Sequence, residues 1–155
     1  MASFFGWLEG TRVALAVRDS LLLTGALSAV HLIGFTLTTG GALIANLNLL
    51  GVLFRDRPTI EVSRPARRGI VVGLTISLLT GALLFAARAS AAGFNGIFQV
   101  KMLLLMAAAM FHLSVHQRVA QEDVVAPWLR YGVGSIGLLL WIGLAAAGCA
   151  FILLE

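Results

Sequence analysis

Three histidines are the residues of this chain best suited to chemistry, and all three stand in apolar surroundings. His31 lies within a long greasy run, and His112 and His116 stand four apart at the end of "KMLLLMAAAMFHLSVH", residues 101–116. Ionisable side chains at such positions are expensive and usually face a bundle interior. At 100° per residue, Lys101, Leu105, Ala108, His112 and His116 fall on one stripe of a helix, opposite a lipid-facing stripe that includes Leu103 and Met110. On the preceding helix, Thr24, Leu27, His31, Gly34, Thr38, Gly41 and Ala45 form a stripe of mostly small or hydroxyl residues around the imidazole.

Two imidazoles at similar depth on facing helices are what a bis-histidine haem needs, because the iron takes one nitrogen from each side of the porphyrin plane. His31 and His112 are the candidate axial ligands, with Gly34, Thr38 and Ala108 as small neighbours that admit a flat ring and Lys101 nearby. Depth decides the pairing. Counted from Ser20, His31 lies about 16 Å below the outer boundary and His112, counted from Ile97, about 22 Å below it. If the bilayer begins near Ser28 instead, His31 rises to about 5 Å, level with Lys101 at about 6 Å, and His112 is left too deep. Both pairings remain open at this stage.

A second chemistry is a transition-metal site using His31, His112 and His116, since imidazoles four apart can clamp zinc or copper. No Asp, Glu, Cys or Met is placed to complete it. Each candidate also has a structural role to weigh: His31 as a buried imidazole bonded to a hydroxyl such as Thr38, His116 snorkelling to the cytoplasmic surface beside Gln117 and Arg118, and Lys101 reaching the outer interface. Met102, Met106 and Met110 read as packing residues. The carboxylates Glu9, Asp19, Asp56, Glu61, Glu122, Asp123 and Glu155 all fall at interfaces or in loops, so a buried proton relay is unsupported and no enzyme constellation emerges.

The elements that position these residues follow from composition. The 155 residues are 59% hydrophobic and 12% charged, with a mean hydropathy of +0.97, far from the roughly quarter-charged soluble average. Four apolar blocks, about 21–53, 69–92, 97–118 and 131–154, each reach the roughly 20 residues that cross a bilayer. The expectation is an all-α integral membrane protein, a four-helix up-down bundle in a single domain. Residues of about 2–18 alternate apolar and charged types, as an amphipathic interfacial helix does, and lack a signal-peptide pattern, so they are expected to be retained. "RDRPTIEVSRPARRG", with two prolines and seven charges, reads as a connector. The sole cysteine, Cys149, is expected to pack as a small hydrophobe.

The net charge of +4 does not indicate nucleic acid, because the basic residues sit in short loops between spans. Arg55, Arg57, Arg64, Arg67, Arg68, Arg118 and Arg130 fall at one end, and Arg12, Arg18 and Arg88 at the other. The richer end is therefore expected in the cytoplasm of a bacterium, with both termini periplasmic at the inner membrane. The expected partners are the lipid bilayer and other membrane subunits or a second copy of the chain.

"FFGWLEGT", "RDSLLLTGALSAVHLIG", "TGALLFA", "FQVKMLLLMAAAMFHLSVH" and "SIGLLLWIGLAAAG" together resemble, over nearly the whole chain, an uncharacterised family of bacterial four-helix membrane proteins of unknown function. Asn46 stands where an acidic residue is common in that family, and Cys149 where an arginine often follows the glycine. More distantly, His31, Gly40 or Gly41, and Lys101 are similar to HemJ-type protoporphyrinogen oxidases and the membrane domain of CopD-type copper proteins. That resemblance implies a haem b site using His31 with Lys101 nearby. The function expected is electron transfer by a b-type haem membrane protein, for example as the anchor subunit of a respiratory or dehydrogenase complex. The alternatives are a cofactor-free accessory subunit and a protein that handles copper or another metal.

Overall fold

A computed structural model describes residues 2–122 and 125–153, apart from the side chains of Ala2, Ser3 and Ile152. Asp123, Leu154 and Glu155, assigned above to loops, interfaces or the last span, lie outside the described residues. The described chain is built of helices: α1 (Ala2–Glu9), α2 (Arg12–Asp19), α3 (Leu21–Leu49), α4 (Thr59–Ala87), α5 (Ala89–Gly93), α6 (Gly96–Gln121) and α7 (Pro127–Leu153). Among the described residues no strand occurs, and α3, α4, α6 and α7 are long and apolar enough to cross a membrane. The protein is a multi-pass membrane bundle.

The amphipathic segment predicted over 2–18 is two helices, not one. Gly10 and Thr11 break it, and the Thr11 hydroxyl restarts the chain by accepting the Ala14 N–H at 3.3 Å, as an N-cap does. Ala14 and Val17 of α2 are buried, and the Thr24 hydroxyl donates to the Val17 carbonyl at 2.6 Å. Phe5 of α1 meets Phe85 and Phe94 edge-on, while the Glu9 carboxylate accepts the Ser90 backbone N–H at 2.6 Å. These two helices therefore cap the terminal end of the bundle over α4 and α5.

The connector is shorter than the sequence pattern suggests. α4 starts at Thr59, ten residues before the predicted span, and carries Pro65 in its second turn; so near a helix start the lost N–H bond is tolerated more readily than in mid-helix. Arg64, Arg67 and Arg68 thus ride on a helix. The true turn, residues 50–58, uses left-handed backbone at Gly51 (φ 67°) and Phe54 (φ 52°), a conformation only glycine adopts freely. Asn48 holds it by donating to the Leu53 and Phe54 carbonyls at 3.0 and 3.3 Å. At the second loop on this end, Arg130 donates to the Thr59 hydroxyl at 3.2 Å.

α3 and α4 form the tightest seam. A Cβ placed at Gly73 would lie 2.5 Å from the Gly34 carbonyl oxygen and from Thr38 Oγ1, and one at Gly41 2.9 Å from the Ala66 carbonyl oxygen. Small residues bring the two backbones into contact, the means by which membrane helices gain dispersion energy where no hydrophobic drive acts between them. α7 packs on both α3 and α6. The centre is closed by Ala42, Ile70, Ala108, Trp141 and Leu144, and a second cluster of Leu49, Val119 and Val133 closes the arginine-rich end.

Candidate functional sites

The structure separates the histidines into two places. His31 projects from α3 onto α4, where its Nδ1 is 3.1 Å from Thr80 Oγ1 and its ring edge lies over Gly81, whose Cβ would meet Cε1 at 2.9 Å. The hydroxyl is Thr80, not the expected Thr38, because Thr38 donates to the Gly34 carbonyl at 2.9 Å within its own helix. Thr80 also donates its one proton, to the Ile76 carbonyl at 2.7 Å. It must then accept from His31, so Nδ1 carries the proton and Nε2 keeps a bare lone pair. This is the arrangement in which metal-binding histidines are held, one ring nitrogen donating to a fixed acceptor and the other free to ligate.

α6 runs along α7, and Phe35, Leu74, Leu104 and Leu105 from α3, α4 and α6 pack at the edge of the central cluster. His31, Lys101, Phe35, Phe98 and Leu105 are all half-buried. Lys101 stands within electrostatic reach of His31, with its ammonium 5.7 Å from the centre of the Phe151 ring. Among the described residues, no carboxylate pairs with it.

His112 and His116 lie at the other end. Their rings stack with centroids 4.3 Å apart and planes 26° apart, at 1% and 0% exposure. The expected snorkelling of His116 to the surface is therefore overturned: its ring faces inward toward the Ala45 backbone. The local cause is a π-helical turn over His112–His116, in which the Gln117 N–H reaches the His112 carbonyl five residues back. Widening the helix by that residue changes the register, and turns of this kind are often found at functional sites. The sequence stripe assumed an unbroken α-helix.

Ala45 stands fourteen residues beyond His31 on α3, which is about 21 Å along the helix axis. The two imidazoles assigned to one iron, His31 and His112, therefore do not converge on one point in this arrangement, and the central cluster fills the distance between them. Of the small neighbours assigned to the ring, Gly34 and Thr38 are covered by α4 at Gly73, and Ala108 is wholly buried in the central cluster. Their role here is packing. The pairing in which His31 lies level with Lys101 is the one this geometry favours.

Four residues to which the sequence pattern gave no place in a site complete the picture. Thr80 orients His31. Gln117 lies with its side-chain nitrogen 3.4 Å from His112 Nε2. Asn46 is fully buried, donates to the Ala42 carbonyl at 2.7 Å, and lies against α7 where only a glycine, Gly137, leaves it room. Trp141, one turn further along α7, meets His112 edge-on with centroids 6.4 Å apart. Asn46 Oδ1, His112 Nδ1 and Trp141 Nε1 are buried with no hydrogen-bond partner. The one available signal was compositional: amide side chains beside apolar stretches, next to histidines.

A family model described as a family of unknown function (DUF6644) matches residues 4–153, so the chain belongs to that family. No curated protein and no solved structure matches the chain, and the HemJ- and CopD-type resemblance gains no support from those comparisons.

Proposed function

We propose that this family member is a b-type haem protein of the bacterial inner membrane that passes electrons, with His31 as an axial ligand through Nε2. The single observation that carries the reading is the Thr80–His31 hydrogen bond, which leaves a fixed, unprotonated imidazole nitrogen on a half-buried side chain in the half of the bundle nearest the termini. A haem is complementary to this half in three respects. Its iron takes an imidazole, its two propionates pair with a cation such as Lys101, and its apolar face suits Phe35, Leu74, Phe98 and Leu105. Bound there, the group would supply reversible one-electron chemistry at a potential set by its axial ligation and burial. The chain's own part is to hold the imidazole in one tautomer, present a charge for the propionates and exclude water. No acid, base or nucleophile is required, and none is assembled among the described residues.

In this reading the arginine-rich end faces the cytoplasm and the termini face the periplasm, by the bias of arginine between the two ends. The α1–α2 cap then lies on the periplasmic surface, and the electron partner is another membrane subunit or a second copy.

Absorption spectra of the detergent-purified protein, oxidised and dithionite-reduced, test the proposal. A Soret band that shifts on reduction is expected. His31→Ala should abolish it, and Thr80→Val should lower haem retention by roughly 10–100-fold, as loss of an orienting partner does. Full haem retention in His31→Ala, or a colourless wild type after haem reconstitution, rejects the assignment.

A further inference from the structure

The arginine-rich end holds a recess of about 380 Å³ between the end of α3, the turn that follows it and the first turn of α7. Three guanidinium groups line it, those of Arg55, Arg57 and Arg130, and no carboxylate does; Asp56, between two of them in sequence, stands outside the lining. Among the described residues none of the three arginines is in an ion pair. Each is oriented by a neutral partner instead: Arg55 Nε donates to the Gly51 carbonyl, Arg130 donates to the Thr59 hydroxyl at 3.2 Å, and the Arg57 guanidinium lies 5.8 Å from the centre of the Phe54 ring. A guanidinium has five N–H donors, so each keeps most of them for another acceptor. Asn48 holds the turn that presents Arg55 and Arg57 by donating to the Leu53 and Phe54 carbonyls. The gathering of like charge is therefore built into the fold, and an anion that bridges the three groups relieves their mutual repulsion.

The surroundings decide which anion this is. Trp128 and Tyr131 are exposed at the start of α7, and both are residue types that settle at the membrane–water boundary, so the recess lies at the depth of lipid headgroups. From Tyr131, the positions Ser135, Leu139 and Ile142 continue along one stripe of α7, and all of them are exposed. A small inorganic ion would occupy little of a recess whose size is that of a small-molecule site, and would leave the apolar stripe unused. An acidic phospholipid uses both. Its phosphodiester oxygens suit the planar fork of arginine, and an acyl chain follows the stripe towards the bilayer centre. Basic recesses between membrane helices at headgroup level take such lipids. A second recess at this end, lined by Arg64 and Arg68 of α4, also contains the Glu61 carboxylate, so its own charge is partly offset and it serves as an internal comparison.

We propose that Arg55, Arg57 and Arg130 bind the phosphodiester group of an acidic phospholipid, whose acyl chain lies along the Tyr131 stripe of α7. This site is independent of the haem reading. It lies at the other end of the bundle and shares no residue with His31, Thr80 or Lys101.

The test is native mass spectrometry of the full chain released from detergent micelles, titrated separately with phosphatidylglycerol, phosphatidylcholine and inorganic phosphate. Phosphatidylglycerol should remain bound at concentrations where phosphatidylcholine does not. Arg57→Gln and Arg130→Gln should each weaken its binding by roughly 5-fold or more, the effect of one arginine beside an anionic headgroup. Arg64→Gln and Arg68→Gln remove the same charge from the same end of the bundle but from the other recess, and should leave the affinity unchanged. The comparison of the two lipids on the wild type needs no variant to fold. Equal binding of phosphatidylglycerol and phosphatidylcholine, or an equal loss in Arg64→Gln and Arg57→Gln, overturns the proposal. So does inorganic phosphate bound as tightly as the acidic lipid, which would assign the recess to a free anion.

Discussion

The two ends of the bundle handle their histidines in opposite ways. Near the termini, His31 is half-buried and has its Nδ1 held by the Thr80 hydroxyl. Near the arginine-rich end, His112 and His116 are sealed from solvent and stacked on each other. The first imidazole is oriented by a hydroxyl of a neighbouring helix, the second pair by a π-helical turn of its own. The close seam between α3 and α4 runs between the two environments.

The largest expected effect comes from breaking that seam, on which both ends depend. Gly73→Leu would force a side chain where even a Cβ comes within 2.5 Å of the Gly34 carbonyl oxygen and of Thr38 Oγ1. Overpacking usually costs about 1–3 kcal/mol, and more where backbone must move, as it must here. The variant should fail to give a monodisperse bundle in size-exclusion chromatography and should lose haem. Gly25→Ala, on an open stretch of α3 with nothing within 4 Å of its Cβ position, is the control and should behave as wild type. A well-folded Gly73→Leu variant would show that the seam is looser than its geometry implies.

The parts of this arrangement that could be seen in the sequence are those fixed by local pattern. Apolar length gave four spans, and the inward stripe of α6 correctly included Ala108, His112 and His116 while Leu103 and Met110 point outward. The stripe of small residues on α3 is the face that meets α4, but which helix it would meet was not encoded in its period. Without that, Gly34 and Thr38 looked like room for a ring when they are the contact surface for Gly73. The depth of His31 relative to His112 was equally out of reach, because the apolar run that includes α3 exceeds a bilayer's thickness and carries no mark of where it enters. The π-helical turn depends on packing around residues 112–116, and propensity gives no sign of it. Pro65 misled for a simpler reason: a proline near a helix start and one in a connector look the same when the start is unknown.

A paired substitution sharpens the contrast in packing. Leu144 is 1% exposed within the central cluster, whereas Leu105 packs half-buried at its edge. Leu144→Ala should cost about 2–5 kcal/mol, the range for a buried leucine that leaves a cavity. Leu105→Ala in the haem-free protein should cost less, since part of its surface already faces lipid, which is as apolar as leucine. Thermal unfolding in one detergent compares the two. Haem reconstitution should then raise the penalty of Leu105→Ala while leaving that of Leu144→Ala in place. Equal penalties in the haem-free protein would mean that the edge of the cluster is packed as tightly as its centre, leaving no give beside Lys101 for a large group.

The smallest effect concerns one hydrogen. Trp141 Nε1 is buried without an acceptor, its ring edge-on to His112. If the N–H is truly alone, replacing the indole by a phenyl ring removes an unsatisfied donor at the price of some packing volume. Loss of a large aromatic to alanine costs about 3–5 kcal/mol, but Trp141→Phe retains most of the ring, and removal of an unpaired donor returns about 1–3 kcal/mol. The two contributions nearly cancel, so the melting temperature should stay within a few degrees of wild type. If instead the N–H bonds to water or to another group, the substitution loses that bond as well as the volume, and the melting temperature falls. Thermal unfolding of Trp141→Phe against wild type in one detergent separates the cases: an unchanged melting temperature supports the lone N–H, and a clear drop places a hydrogen-bond partner on it.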